Sequence, residues 1–327
     1  MRNKKILFIA PNFFSIENVL IEELKNRGNV VFSFDERAIK NSFLKAINFI
    51  CPYILYGIAN NYYKKQICLV PKEIDFILVI KGEMITKKTI SLIRAKWPHA
   101  KLVLYLYDSI KNVRGVLKNT KLYDRVFSFD SEDCKKYNFS FRPLFCDNQS
   151  ILLNKFGEKR FDLFFYGTMY GDRFDILNKI VLACSKQNVL FYRFCYLAGK
   201  FMKLYYFLTN SGYRSFNKDY ISTVPKSHSD LASFISSSYA ILDINDVRQS
   251  GITIRTFEAL FSGKRIITTN SRVAEYDFYD PNFILIIDRK NIDIPIGFFF
   301  KKDQKVEYKN LEKYTPKGWI DDVFYEI

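Results

Sequence analysis

The stretch Gln249–Asn270, QSGITIRTFEALFSGKRIITTN, decides how the rest of the chain is read. Ile254, Phe257 and Phe261 recur at helical spacing, and Arg265–Asn270 after the Ser262-Gly263 turn has the composition of a strand. Just before it, AILDI at 240–244 is another strand-like run. Strand, loop, helix, small-residue turn and strand in that order make a βαβ unit. Gly251, Arg255, Glu258 and Ser262 fall at i, i+4, i+7 and i+11, which predicts one shared helix face beginning near Gly251. Charged groups on a helix between buried strands need a partner. Two readings are open: Arg255 and Glu258 pair with each other on a solvated face, or they hold a polar ligand. A nucleotide sugar would suit the second, with Arg255 on the diphosphate and Glu258 on ribose hydroxyls. Gly251 would let backbone approach closely, Ser250 and Thr253 would add hydroxyls, and a helix N-terminus suits phosphate.

The same alternation runs outward in both directions. Strand-like runs stand at 4–10, 30–34, 75–82, 101–108 and 125–130, and again at 161–167, 189–196, 240–244, 265–270 and 283–288. Between them lie helical patterns. SIENVLIEELKNRG carries a stripe of Ile16, Val19, Leu20 and Leu24, with Ser15 as its start. TKKTISLIRAKWP carries Ile90, Ile93 and Trp97, with Thr86 as cap. DRFDILNKIVLACSK and SHSDLASFISSS follow the same rule. Near-continuous apolar strands alternating with helices predict parallel sheets covered on both faces. The pattern weakens over Cys146–Arg160, so the expected division is a domain over 1–150, a second over 151–310, and a closing helix in 311–327 with Trp319, Val323 and Phe324 as its apolar face.

Composition narrows the chemistry. A chain of 327 residues suits two ordinary domains. Two histidines, His99 and His228, argue against a His triad or a His-rich metal site. Six scattered cysteines without CxxC spacing fit buried thiols in a reducing compartment. The apolar run Ile6–Ala10 is too short for a signal peptide, and Phe43–Ala59 is interrupted by Lys45, Asn48, Pro52 and Gly57, so a cytoplasmic protein is expected. The net charge of +16 seeks something acidic, or reflects a lysine-rich composition and nothing more. No basic tail or RNA-binding signature concentrates it, so nucleic acid is not expected as a partner. Within 191–216, Leu197, Phe201, Leu204, Tyr205 and Leu208 line up at helical spacing, with Lys200, Lys203 and Arg214 nearby. That is either an ordinary packed helix or a basic aromatic helix resting on an anionic membrane.

In open parallel sheets, ligands sit at the carboxyl ends of the strands. Gly167, Thr168 and Arg173 follow the strand at 161–167, either as a second ligand turn or as a plain connection. Asp243 ends the strand at 240–244, and Gln249, Ser250, Gly251, Thr253, Arg255 and Glu258 follow it. In the first half Glu17, Glu83 and Asp108 stand just past strand ends, where a general base is well placed. Each is equally a cap or turn residue.

The block from LDI through QSGITIRTFEALFSGKRIITTN to YDFYDPNFILIIDR resembles bacterial glycosyltransferases of the GT-B fold, two Rossmann-like α/β domains facing a central cleft. Within them it is closest to the capsule and lipopolysaccharide biosynthesis transferases related to spore-maturation glycosyltransferase-like proteins. FFYGTMYGDR, VIKGE, AKLVLYLYDSI and WIDDVF carry the likeness beyond that block. The resemblance implies a nucleotide-sugar donor bound by the second domain, with Glu258 on the ribose and Arg255, Thr253 and Ser250 near the diphosphate. It implies a glycan or lipid-linked glycan acceptor at the first domain, with Asp108 or Glu83 as base in an inverting reaction. It also implies no metal and no other cofactor, since the leaving diphosphate is stabilised by helix dipole and basic side chains. Asp243 and Asp246 come closest to a metal motif, and Asp243 reads as a strand-end hydrogen-bonding residue. A glutamate stands seven residues before the ribose-binding one in the most familiar members, and Gly251 replaces it here. An epimerase of the same fold and a non-catalytic nucleotide- or glycan-binding protein remain alternatives. The implied place is the cytoplasm, with an anionic membrane face as a further partner.

Overall fold

The computed structural model describes residues 2–11, 16–39, 52–113, 115–146, 159–300 and 306–325. It divides into two compact units, one of Met1–Phe145, Arg248–Gly251 and Glu312–Ile327, the other of Cys146–Val247 and Ile252–Leu311. The expected boundary at 150/151, Ser15, Cys51 and the first part of the 43–59 run lie outside the described residues. The remaining five cysteines are free, and all but Cys68 are buried.

The first unit is built on β1 (Lys5–Ala10), β2 (Val30–Asp35), β3 (Phe76–Ile80), β4 (Lys101–Leu106), β5 (Arg125–Ser128) and β6 (Ser140–Phe141). They pair in the order β2-β1-β3-β4-β5-β6, every pair parallel. Alternate residues of one strand enter opposite cores. Leu7, Ile9, Ile77 and Val79 face the helices Tyr56–Leu69 and Lys87–Lys96, through Tyr63, Ile90 and Ile93. Ile6, Phe8, Phe76 and Leu78 face the other side, covered by Leu20 and Leu24 of helix Ile16–Asn26 and by Trp319, Ile320, Val323 and Phe324 of helix Pro316–Tyr325. That two-sided burial is why these strands read as continuous apolar runs. Thr86 caps its helix by accepting the Thr89 amide at 3.2 Å, and Asp130 accepts the Glu132 and Asp133 amides at the start of helix Ser131–Tyr137.

The second unit has β7 (Phe161–Thr168), β8 (Phe191–Tyr196), β9 (Ile221–Ser222), β10 (Ser238–Asp243), β11 (Arg265–Thr268) and β12 (Ile284–Ile286). They pair in the order β12-β11-β10-β7-β8-β9, again all parallel. Chain direction across the sheet reverses between β7 and β10, the Rossmann switch point where ligands bind such sheets. Each unit is thus a doubly wound α/β layer structure, as expected. The two-residue edge strands β6 and β9 went unpredicted, because two residues carry no periodicity. Helix Ile254–Phe261 begins at Ile254, with Thr253 in the N-cap position. Gly251 therefore precedes the helix and does not share its face, contrary to the spacing argument.

Trp319 is fully buried, edge-on to Tyr105 at 4.8 Å and tilted against Phe145 at 5.6 Å. Trp319→Ala is expected to destabilise the first unit by about 3–5 kcal/mol, and Trp319→Phe by less. Urea unfolding followed by circular dichroism reads both. A near-neutral alanine variant would mean the closing helix is not part of that core.

Candidate functional site

The switch point of the second unit gathers charge. β7 ends in Gly167 and Thr168, and Arg173 opens helix Arg173–Lys186. Arg173 is 3 % exposed. Its Nη1 donates to the Thr168 carbonyl at 2.6 Å and its Nη2 to the Ile244 carbonyl, so it ties the ends of β7 and β10 together. The guanidinium lies 4.0 Å over the Tyr170 ring and has no carboxylate within salt-bridge distance. Burial, with the neighbouring Arg255 charge, pushes its pKa down to about 10.

Arg255 reaches the same spot from helix Ile254–Phe261. Its Nη1 meets Asp243 Oδ1 at 2.5 Å, and its side chain is 13 % exposed. Asp243 is fully buried, and its Oδ2 also accepts the hydroxyls of Thr253 and Thr256, each at 2.9 Å. Burial opposes the Arg255 charge, but Asp243, then Tyr166 and Glu258, hold its pKa above the ordinary value. The expected Arg255–Glu258 pair does not form. The Tyr166 hydroxyl donates to Glu258 Oε2 beneath the helix, and Glu258 is buried.

The two guanidinium groups converge over Gly167. A Cβ there would lie 2.9 Å from Arg255 Nη2 and 3.6 Å from Arg173 Nη1, so any larger residue would have to displace the Arg255 fork. The Nε atoms of both arginines are buried without a hydrogen-bond partner. The Thr253 hydroxyl is committed to Asp243 and makes no side-chain cap, which leaves the first-turn amides to other acceptors. Arg289 fixes the surrounding loops: it grips Asp172 with two bonds of 2.8 and 3.0 Å and donates to Asn245 Oδ1 at 2.7 Å and Thr269 Oγ1 at 2.9 Å. Chemically this is an anion cradle of two arginines and a helix N-terminus.

Three residues of the opening stretch fall with the other unit. By the contact division Gln249, Ser250 and Gly251 belong to the first unit. Gln249 Nε2 donates to Asp108 Oδ1, and the Ser250 amide and hydroxyl both donate to the Asp130 carboxylate, the amide at 2.7 Å. The close approach that Gly251 permits is to Phe129, whose ring would stand 2.5 Å from an added Cβ.

In the first unit, Asp108 follows β4 and accepts the Ser109 amide and Asn112 Nδ2, each at 3.0 Å. Burial raises its pKa. Glu83 pairs with Lys81 at 2.7 Å. Lys81 and Gly82 end β3 in left-handed backbone, φ +71° and +67°, a conformation held at a lysine only where the surroundings dictate it. The charges acting on Lys81 are Glu83, Glu36 and Asp108. Glu17 stands in the first turn of helix Ile16–Asn26, where its charge suits the helix dipole.

Sequence reasoning passed over Glu36. It follows β2 as Asp108 follows β4, so the same strand-end rule reaches it. Glu36 is buried, its Oε1 accepts the Met84 amide at 3.0 Å, and burial raises its pKa to about 7 against the pull of Lys81. Tyr166 and Arg289 were also passed over, and no local signal marks either. Among the described residues, no three His, Cys, Asp or Glu side chains could hold a metal ion together.

No family model matches the chain, and no curated protein matches it in sequence. Its fold is shared with solved GT-B glycosyltransferase structures. Anabaena Alr3699/HepE in complex with UDP and glucose is 12 % identical, with 99 % of each chain covered and a TM-score of 0.61. The catalytic domain of Arabidopsis thaliana starch synthase IV bound to ADP and acarbose is 8 % identical, with 99 % of this chain and 92 % of that one covered and a TM-score of 0.58. The lipopolysaccharide outer core galactosyltransferase WaaB is 15 % identical, with 99 % of this chain and all of that one covered and a TM-score of 0.56.

Glu36 gives a pH test. Its folded pKa of about 7 lies above the ordinary 4.5, so the folded state binds its proton more tightly than the unfolded one. Its contribution is present in full below pH 4.5 and is lost as pH rises through 7. Glu36→Gln is expected to match wild type near pH 4.5 and to exceed it at pH 8, by on the order of 3 kcal/mol. Urea midpoints at both pH values decide it; parallel pH curves for the two proteins would refute a protonated buried Glu36.

Proposed function

We propose that this chain is a glycosyltransferase that takes a sugar from a nucleotide-sugar donor, with the donor diphosphate lodged over Gly167 between Arg173 and Arg255. The observation that carries the reading is the pair of buried guanidinium groups with unpartnered Nε atoms at the Rossmann switch point. Asp243 neutralises Arg255, but the charge of Arg173 beside it has no carboxylate partner, and an anion would lower the cost of holding it in this crevice. A diphosphate is that anion, and the first-turn amides of helix Ile254–Phe261 face the same charge. Glu258, with one oxygen fixed by Tyr166, is the proposed ribose contact. Thr253 and Asp243 act by aiming Arg255 and the helix start.

The chemistry follows from the cradle. When the glycosidic bond to the diphosphate breaks, negative charge grows on the leaving oxygens, and preorganised guanidinium groups stabilise it without a metal ion. In an inverting reaction the acceptor hydroxyl loses its proton to a carboxylate. We assign that role to Asp108 or Glu83 at the strand ends of the first unit; burial raises the pKa of Asp108. UDP in the HepE structure and ADP in the starch synthase structure support a nucleotide diphosphate as the donor moiety. WaaB supports a growing surface glycan, of the lipopolysaccharide or capsule type, as acceptor.

A thermal-shift screen against UDP, ADP, GDP, CMP and dTDP sugars tests this. A donor at a hundred times its dissociation constant is expected to stabilise by about 2.7 kcal/mol. Arg255→Lys keeps a cation for Asp243 and loses the fork, and Arg173→Lys does the same at its site. Each is expected to weaken donor binding tenfold or more, read by calorimetry, with the unliganded melting temperature near wild type. Wild-type affinity in both variants would remove the diphosphate from this place. Release of free nucleotide diphosphate with a glycan acceptor separates a transferase from a protein that only binds.

A further inference from the structure

Helix Gly199–Thr209, after β8, turns most of its apolar surface outward. It touches the second unit's core through Tyr206, edge-on to Phe174 at 5.3 Å, and through the half-buried Met202. Phe201, Leu204, Tyr205, Phe207 and Leu208 are exposed at 77, 56, 48, 54 and 68 %. Four of them, Phe201, Leu204, Tyr205 and Leu208, fall within an arc of roughly 100° on a helix of 3.6 residues per turn. Exposed apolar residues elsewhere in the described chain are scattered; here they are contiguous on one element, which marks an interaction surface.

Charge identifies the partner. Between residues 176 and 218 there is no Asp or Glu, against seven Lys and Arg. Lys203, half-buried, falls on the side of the helix away from the arc, next to Tyr206. Arg214, exposed on the next helix, donates to the Phe207 carbonyl at 3.1 Å. Lys218, also exposed, follows it. The side chain of Lys200 is outside the described atoms. An apolar face with a mostly basic surround, Asp175 and Asp219 standing at its edges, disfavours a second copy of itself, because a two-fold axis would oppose like charges. It complements a surface that is apolar inside and anionic at its edge, an acidic phospholipid bilayer. Eleven helical residues span roughly 16 Å, about half of a hydrocarbon core, so this helix lies in the interface and does not cross it.

We propose that helix Gly199–Thr209 docks the protein on anionic membrane, with Phe201, Leu204, Tyr205 and Leu208 seated among the acyl chains and Arg214 at the phosphates. The proposal stands independently of the glycosyltransferase reading. It also resolves the choice that the sequence left open: these four side chains are not the packed stripe of a core helix.

Flotation of the full chain with phosphatidylcholine vesicles, and with vesicles containing 30 % phosphatidylglycerol, is the test. Binding is expected to the anionic vesicles and to be weakened by 0.5 M NaCl. Phe201→Ser with Leu208→Ser is expected to lose at least tenfold in affinity, and Arg214→Gln about fivefold, one basic residue's share at such a surface. Both variants should keep the wild-type melting temperature, since the replaced positions are not core. Phe201→Trp should shift its emission to the blue on anionic vesicles and be quenched by brominated lipid. Three results overturn the proposal: no binding by wild type, undiminished binding by the double serine variant, or a solution dimer that the double variant dissociates, which would make a second copy the occupant. Nucleotide binding by the double serine variant is read alongside, so that loss of docking and failure of the donor site are told apart.

Discussion

Everything at the switch point depends on Asp243 neutralising Arg255 out of reach of water. A buried guanidinium needs a carboxylate or a full set of acceptors, or its desolvation cost is unmet. Asp243 supplies the charge from the end of a central strand, where its position is fixed by pairing with β7 and β11. Its second oxygen takes the hydroxyls of Thr253 and Thr256, which sets the angle at which helix Ile254–Phe261 leaves the loop. Arg173 is handled differently. Two carbonyls from two strand ends hold its fork, and they leave its charge unneutralised. The crevice therefore carries one compensated and one uncompensated arginine, an asymmetry suited to a ligand that brings negative charge.

Most of the fold was legible because the strands are buried on both sides. Ile77, Leu78 and Val79 face two different cores, so no polar alternation interrupts the run. The site was legible only in part. The Arg255–Glu258 pairing follows from helical spacing, which sees neighbours along a helix; the actual partner, Asp243, lies twelve positions earlier on a strand. Gly251 was read as an approach point for ligand, yet its lack of a side chain accommodates Phe129. A glycine announces close approach without saying to what. Glu36 was as visible as Asp108, and it was passed over because attention to carboxylates followed the longer strands.

The first unit shows how few cations serve many carboxylates there. Lys81 acts on Glu83, Glu36 and Asp108 together, and only Glu83 has it in direct contact. Burial then works on the other two, raising both, and Glu36 most because it is the most enclosed. The left-handed backbone at Lys81 directs one ammonium into this group, which a residue in ordinary strand conformation at that place would not reach. A group in which burial raises Glu36 to about 7 and raises Asp108 as well is chemically different from ordinary surface acids, and the distinction is invisible in the spacing of the letters.

The excess of positive charge, ambiguous as a bare total, separates by position and by residue type. Arg173 and Arg193 are buried, and Arg255 nearly so, and each sits against aromatic rings on which a planar guanidinium can stack while its fork donates elsewhere. Arg193 lies 4.0 Å over the Tyr220 ring, and burial lowers its pKa. Most lysines occupy the outside, where a hydrated point charge on a flexible stem is at no disadvantage; Lys264 is an exception, buried and donating to the Ser236 carbonyl at 2.8 Å. A composition bias toward lysine accounts for the second population and not for the first, because a biased genome has no reason to place arginines under strand ends. Nor does it explain an acid-free stretch from 176 to 218 that surrounds the one helix with its apolar side turned out. Bias adds lysines everywhere; it does not remove every aspartate and glutamate from one long stretch of chain.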